Sequence, residues 1–303
     1  MAAAVILTAG VPLASNAPVS DFVFDAYLTA DKARPQASGG RDLQENPDSG
    51  RSTFPKLNCP DPVTVMIDPG HGGKDAGALG LKETPKKKGA KAPERLVEKK
   101  VVLQLARLLG DYLRDEGCEV HYTRVEDTMV PLLDRAKAAN DIGADIFVSL
   151  HMNAHPDKSA RGSEVFFLSL EPVDKELQAL ADAENEFAAP ARETDILAGI
   201  LEDLAQKAYL HESERMAVYI QTELNCLSGI KERGVKQAPF AVLRTAAMPA
   251  VLVEVVFISN PSEAAKLRDP AFLKSAAQAI ARGIQHYIES TGNNRTRRKP
   301  STP

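Results

Sequence analysis

The chain is poor in cysteine, has no strong excess of either charge and lacks a long apolar run. Its three cysteines lie far apart and are odd in number, which gives neither a metal-binding spacing nor a disulfide framework. The formal net charge of -4 provides no general attraction to nucleic acid. No apolar run approaches the roughly 20 residues that a membrane-spanning helix needs. These features argue against a disulfide-stapled scaffold, a nucleic-acid-binding protein and a membrane-spanning protein.

The 303 residues fall into three segments of different composition. Residues 1–61 begin with an apolar run that lacks a basic n-region and continue into a stretch rich in Pro, Gly, Ser and Asn. We expect a signal-like or disordered leader and linker there, and the sequence leaves both readings open. Residues 62–290 are periodic and long enough for one large core. Residues 291–303 form a basic tail that we expect to be disordered.

Within residues 62–290, short β-branched runs alternate with helical patterns, which predicts an α/β fold. Several of the runs are continuously apolar, as strands buried on both faces are. We expect a single domain with a mostly parallel sheet of about six strands and helices on both faces. The predicted strands are 63–67, 119–123, 145–150, 164–168, 239–243 and 250–256. The predicted helices are 96–116, 131–141, 174–187, 194–208, 213–227 and 270–289.

Two histidines directly follow or end predicted strands. His71 stands among glycines in the stretch DPGHGG, and His151 follows DIFVSL. Because open α/β sheets bind ligands at the carboxyl ends of their strands, both histidines are candidates for a metal or catalytic role. A turn-capping His71 and a buried His151 bonded to backbone would give the same sequence pattern, so the histidines alone do not decide.

Two glutamates complete a candidate site. Glu254 lies in the apolar run AVLVEVV, where a carboxylate must be ion-paired, protonated or bound to a metal. Glu98 lies in the first turn of a predicted helix, where the helix dipole alone favours an acid. Two histidines and one glutamate nevertheless form a ligand set for a catalytic zinc, and a second glutamate can serve as general base. Zinc lowers the pKa of water to about 7, so the combination predicts metal-assisted amide hydrolysis.

Six stretches resemble the zinc N-acetylmuramoyl-L-alanine amidases of the amidase-3 family and occur in the family's order. They are MIDPGHGGKDAGALG (66–80), EKKVVLQLA (98–106), ADIFVSLHMNA (144–154), GSEVFFLS (162–169), RGVKQAPFAVLR (233–244) and MPAVLVEVVFISN (248–260). The resemblance implies hydrolysis of the amide between N-acetylmuramic acid and L-alanine in peptidoglycan. It also implies that His71, Glu98 and His151 hold one zinc ion and that Glu254 is the catalytic acid/base.

The stretches VDKELQALADAEN (173–185) and ILEDLAQKAYLHESERMA (200–217) resemble a subgroup that acts in daughter-cell separation, which implies a regulatory helical insertion at about 171–198. In that subgroup a helix covers the site, one of its carboxylates can fill the open position of the zinc, and a partner with a degenerate metallopeptidase-like domain relieves the block. The resemblance therefore implies a periplasmic or secreted, autoinhibited enzyme with such an activator, and we expect a monomer. The candidate carboxylates are Glu176 and Glu184. We favour Glu176 because it is nearer to strand 164–168, provided that the carboxyl end of this strand points toward the zinc.

Three other functions are compatible with parts of this pattern. The same chemistry serves in spore cortex lysis and phage lysis, but such enzymes usually lack the insertion. A non-enzymatic wall-binding protein on the amidase fold would have lost a ligand or the catalytic glutamate, whereas all four positions are filled here. A zinc peptidase would tend to carry His-Glu-x-x-His on a helix, and this motif is absent from the sequence. An ordinary surface helix at 174–187 remains the alternative to autoinhibition.

Overall fold

The computed structural model of the chain describes residues 62–82, 94–169, 173–187 and 196–295. The predicted leader, residues 1–61, lies outside the described residues, as do residues 296–303 of the predicted tail. Parts of the predicted insertion, residues 171–172 and 188–195, also lie outside them. No helix in the described part of the chain is both long enough and apolar enough to cross a membrane.

Six strands form one sheet in the order β2-β1-β3-β6-β4-β5. Neighbouring strands are parallel except for β4 and β6, which are antiparallel. Consequently β1, β3 and β6 end at the same edge of the sheet, and β4 begins at that edge. The strands are β1 (Thr64–Pro69), β2 (Glu119–Tyr122), β3 (Ile146–Asn153), β4 (Ser163–Leu168), β5 (Glu232–Ala238) and β6 (Ala250–Phe257).

Helices cover both faces of the sheet because alternate strand residues point to opposite sides. Val65 and Ile67 belong to a buried cluster that includes residues of α1, α4 and α6, whereas Met66 belongs to a second cluster with residues of α2 and α3. This confirms the predicted single α/β domain. The helices are α1 (Glu98–Asp115), α2 (Leu132–Asp141), α3 (Lys175–Glu184), α4 (Ile196–Asn225), α5 (Pro261–Leu267) and α6 (Pro270–Arg295).

The prediction of a strand at 239–243 is wrong. The sixth strand is β5, which ends at Ala238, and a short 3-10 turn spans Ala241–Leu243. The apolar residues of this stretch are buried because they pack on the sheet, where the rings of Phe240 and Phe166 lie 5.2 Å apart in edge-to-face contact. β5 is largely polar because it is an edge strand that pairs only with β4.

Two helix boundaries also differ from the prediction. The helices predicted at 194–208 and 213–227 are one continuous helix, α4. The last helix continues to Arg295, five residues beyond the predicted end of the domain at 290. The short helix α5 was not predicted, because its seven residues are too few to show a helical period.

The contact between α4 and α6 requires a glycine. A Cβ atom at position 283 would lie 2.5 Å from Cα of Ile220, so Gly283→Ala must push the two helices apart. We expect a loss of about 1–3 kcal/mol in the free energy of unfolding, measured by urea denaturation. The matched control is Gly292→Ala in the same helix, where the added Cβ meets no described heavy atom within 4 Å. Equal stability of the two variants would contradict the packing described.

Candidate metal centre and active site

The predicted site residues come together at the end of the sheet where β1, β3 and β6 terminate, which we call the metal edge. His71 follows β1, and Glu98 is the first residue of α1. His151 lies in β3 directly opposite Glu254 of β6. All four side chains are buried, with residue exposures between 0% and 8%. The structure therefore brings together four residues that are separated by up to 183 positions in the sequence.

The loop after β1 presents His71 in an uncommon backbone conformation. His71 has a φ of 61°, in the left-handed region, which costs a non-glycine residue about 1–3 kcal/mol. Gly70 is required beside it, since a Cβ there would lie 2.4 Å from the His151 ring. A Cβ at Gly77 would lie 2.6 Å from the His71 ring and 2.7 Å from the Glu98 carboxylate. The glycines allow the ligand side chains to approach each other closely.

Two buried arginines hold this loop in place by hydrogen bonds to its backbone carbonyls. Arg124 donates to the carbonyl of Gly70 (2.7 Å), and Arg135 donates to the carbonyl of His71 (2.8 Å). Arg135 also pairs with Asp68 at 2.8 Å in a fully buried contact. Burial raises the pKa of Asp68, but the charge of Arg135 and the hydrogen bonds from Thr123, Ser149 and Arg135 together outweigh this effect and hold the pKa below its usual value. The ion pair therefore persists at neutral pH and fixes the loop to the sheet.

Three ligand atoms converge in a way that suits a metal ion. Oε1 of Glu98 lies 3.1 Å from Nε2 of His71 and 3.3 Å from Nδ1 of His151. These contacts lack hydrogen-bond geometry, and among the described residues neither nitrogen has a hydrogen-bond partner. The other ring nitrogen of His71, Nδ1, is bonded to Asp75 at 2.9 Å, the arrangement that commonly orients a metal-binding histidine. Two histidines and a carboxylate fit a catalytic zinc.

Glu98 is fixed as a carboxylate by backbone groups. The N–H groups of Met152 (2.8 Å) and Ala78 (2.7 Å) donate to its two oxygens. Burial raises the pKa of Glu98, but the two neighbouring histidines, His71 and His151, together lower it well below its usual range. Conversely, burial lowers the pKa of His71, but the carboxylates of Glu98 and Asp75 together outweigh this effect and raise it to about 10. In the metal-free site a proton on His71 thus balances the Glu98 carboxylate, a charge that a bound cation would supply instead.

Glu254 has a different environment from Glu98. Neither of its oxygens has a hydrogen-bond partner within the described ranges. Burial raises the pKa of Glu254 well above its usual value; the charge of His151 opposes this shift, and the carboxylates of Glu184 and Glu98 reinforce it. A carboxyl group that readily holds a proton beside the candidate metal ligands suits a general acid/base.

The carboxylate of α3 at this cluster is that of Glu184, not Glu176. Oε2 of Glu184 lies 3.0 Å from Nδ1 of His151 and 3.4 Å from Nε2 of His71. The side chain of Glu176 is 70% exposed and faces Arg233 at 3.5 Å. The preference for Glu176 assumed that β4 points its carboxyl end toward the metal edge. Since β4 is antiparallel to β6, that end points away, and α3 reaches the cluster only with its last residue.

Sequence analysis did not identify three residues that shape the site. Asp75 lies only four positions after His71, and this close spacing of an acid to a candidate ligand was the available signal. Arg124 and Arg135 gave no signal, because an arginine near a strand end or in a helix is usually solvated. Their function depends on contacts to residues more than 50 positions away.

The sheet order and the buried histidine–carboxylate cluster at the strand ends are those of an α/β enzyme domain. The profile of the Amidase_3 family, described as N-acetylmuramoyl-L-alanine amidase, matches residues 65–286. The chain therefore belongs to this family of N-acetylmuramoyl-L-alanine amidases.

Relatives and solved structures agree with this assignment. The chain is 34% identical to amidase AmiC of Neisseria meningitidis over 86% of its own length and 59% of the length of AmiC. It is 35% identical to amidase AmiA of Salmonella typhimurium, with 78% and 79% of the two chains covered. The amidase structure from Clostridium difficile 630 matches with a TM-score of 0.55 at 29% identity, covering 76% of this chain and 99% of that one.

The bond between Asp75 and His71 generates a prediction about metal binding. Asp75→Ala should weaken zinc binding by about 10–100-fold, because the His71 ring loses the group that orients it. Competition with a chromogenic chelator measures the affinity. The control is Asp111→Ala, an exposed acid on α1 whose ion pair in the described part of the chain is with the exposed Arg114. Unchanged zinc affinity in the Asp75 variant would contradict the orienting role.

Proposed function

We propose that the chain hydrolyses the amide between N-acetylmuramic acid and L-alanine in peptidoglycan, with one zinc ion held by His71, Glu98 and His151. The observation that carries this proposal is the convergence of two unpartnered histidine nitrogens on a buried carboxylate, in a chain of an amidase family. When bound, zinc supplies Lewis acidity and makes hydroxide available from water near neutral pH.

Glu254 is the proposed acid/base. It accepts a proton from the attacking water and later donates this proton to the leaving nitrogen of L-alanine. Its position supports the role, since an oxygen of Glu254, Nδ1 or Nε2 of His151 and an oxygen of Glu184 lie within 4.8 Å of one another. The burial of all four site residues excludes bulk water and keeps the proton on Glu254 between the two steps.

We further propose that α3 blocks the resting enzyme. With Oε2 of Glu184 within 3.4 Å of both histidine nitrogens, its carboxylate takes the space that water and the substrate carbonyl need. The side-chain amide of Asn185 fixes the end of the helix, donating to the carbonyl of Pro239 (3.0 Å) and accepting from the N–H of Ala241 (2.8 Å). These bonds hold Glu184 over the cluster.

The contact of α3 with the domain is weak enough to be reversed. Ala181 is the one fully buried residue of this helix, and Leu177 and Leu180 are partly buried. Since burial of apolar area provides most of the docking energy, a partner that binds the displaced helix better than the docked one can shift the equilibrium. We propose an activator with a degenerate metallopeptidase-like domain, and a role in septal wall splitting in the periplasm or outside the cell.

The acid/base role predicts that Glu254→Gln loses at least about 100-fold in turnover, since proton transfer contributes about that much or more. Zinc content and thermal stability should remain near wild type, because Gln has the size of Glu. The assay follows peptide release from purified sacculi, and Glu289→Gln on the exposed side of α6 is the control. Near-wild-type turnover of the Glu254 variant with normal zinc content would remove Glu254 from the mechanism.

Autoinhibition predicts that Glu184→Ala raises the activity of the isolated enzyme. The gain should be about tenfold or more, because the variant loses a charge-assisted contact typically worth about 1.5–3 kcal/mol. Glu186→Ala, an exposed acid two residues further on, is the matched control and should have no effect. If zinc content stays normal and the activity of the Glu184 variant does not rise, α3 is not an inhibitor of this form.

A further inference from the structure

A second feature of the metal edge is a cavity beside β5. It has a volume of about 660 Å³, and its lining includes three basic side chains, Arg161, Lys231 and Arg233. The acids in the lining are Asp157 and Glu176, and Glu176 belongs to the releasable helix α3. Without α3, the three cations face a single carboxylate. The cavity is therefore suited to a negatively charged group once the helix has moved.

Arg233 is the fixed basic group of this cavity. Its guanidinium lies 3.1 Å from Glu164 and 5.0 Å from the centre of the Phe257 ring, and the side chain is only 21% exposed. Glu164 is buried and also pairs with Lys236 at 2.5 Å. Because two cations face one buried carboxylate, Arg233 retains positive charge for another partner. In this structure the partner is Glu176, at 3.5 Å from Nη2.

The cavity lies within reach of a peptide attached to the reacting amide. Glu164 of β4 stands directly opposite Glu254 of β6, and Arg233 belongs to the next strand, β5. Two strand spacings separate Arg233 from Glu254, a distance of about 10 Å. An extended peptide covers about 3.3–3.6 Å per residue, so a span of this length reaches as far as the third residue from the point of attack and includes the second.

We propose that Arg233 binds a carboxylate of the peptide on the leaving-group side of the scissile amide, and that Glu176 occupies this subsite in the blocked state. The inference rests on the proposed amidase function. Glu176 and Glu184 are eight positions apart on α3, or about 12 Å along its axis. The helix therefore places one carboxylate at Arg233 and one at the histidines, close to the separation that the bound peptide would have to span.

The test is the binding of a leaving peptide to the full chain by titration calorimetry. The probes are the tripeptide alanyl-γ-glutamyl-lysine amide, with a free glutamyl α-carboxylate, and the same peptide with this carboxylate amidated. Because α3 must also leave the cavity, the comparison is made in the Glu184→Ala background. There, adding Glu176→Gln should tighten binding of the free-carboxylate peptide about tenfold, because the competing acid is gone. The affinity for the amidated peptide should not change. Adding Arg233→Gln should abolish the preference between the two peptides.

Equal affinity of the Glu176 variant for both peptides would overturn the proposal, whatever the behaviour of the Arg233 variants. Should Arg233→Gln fail to fold, Arg233→Lys keeps a charge opposite Glu164 but loses the planar fork, and it should reduce the preference several-fold. An undiminished preference in that variant also overturns the proposal. The control is Lys274→Gln at an exposed position of α6, which should leave the preference unchanged. Since binding needs no turnover, a Glu184→Ala variant that releases no peptide from sacculi but retains the preference refutes the amidase proposal alone.

Discussion

The buried ion pair between Arg135 and Asp68 is the interaction on which the rest of the site depends. It joins the end of β1 to α2, and through the carbonyl of His71 it holds the following loop in a left-handed backbone conformation. Removing one partner of such a buried pair typically costs about 3–5 kcal/mol, because the other charge is left uncompensated. The ion pair that stabilises the fold therefore also fixes the position of His71.

Above this clamp, carboxylates and histidines meet at the metal edge, and the pKa values of both histidines are raised by the neighbouring carboxylates. The pKa of Glu98 is lowered by His71 and His151, whereas the pKa of Glu254 is raised by burial and by neighbouring carboxylates. Two nearly adjacent carboxyl groups thus have opposite protonation tendencies, which is the usual basis for assigning separate ligand and acid/base roles. A helix that adds a third carboxylate, Glu184, is compatible with this edge only because the two histidines face it.

The fold class and the candidate residues His71, His151 and Glu254 could be predicted from sequence because their signals are local. Glu98 could be assigned only through the family resemblance, since the helix dipole alone favours an acid in a first helical turn. A histidine at a strand end and a glutamate within an apolar run are visible in a few consecutive residues. The position of β5 and the choice between Glu176 and Glu184 could not be predicted, since both depend on the direction in which β4 pairs with β6. Strand direction is set by packing across the whole sheet, and the apolar stretch at 239–243 gave a strand-like pattern although it covers the sheet instead.

The central claim is that one metal ion is held at this edge and faces Glu184 in the resting state. Crystals of the zinc-loaded full chain, measured at the zinc absorption edge, test it most directly. The account predicts a single anomalous peak enclosed by His71, Glu98 and His151, with the Glu184 carboxylate as the fourth neighbour. A peak elsewhere on the protein, or no peak at this edge in zinc-loaded crystals, would contradict the account.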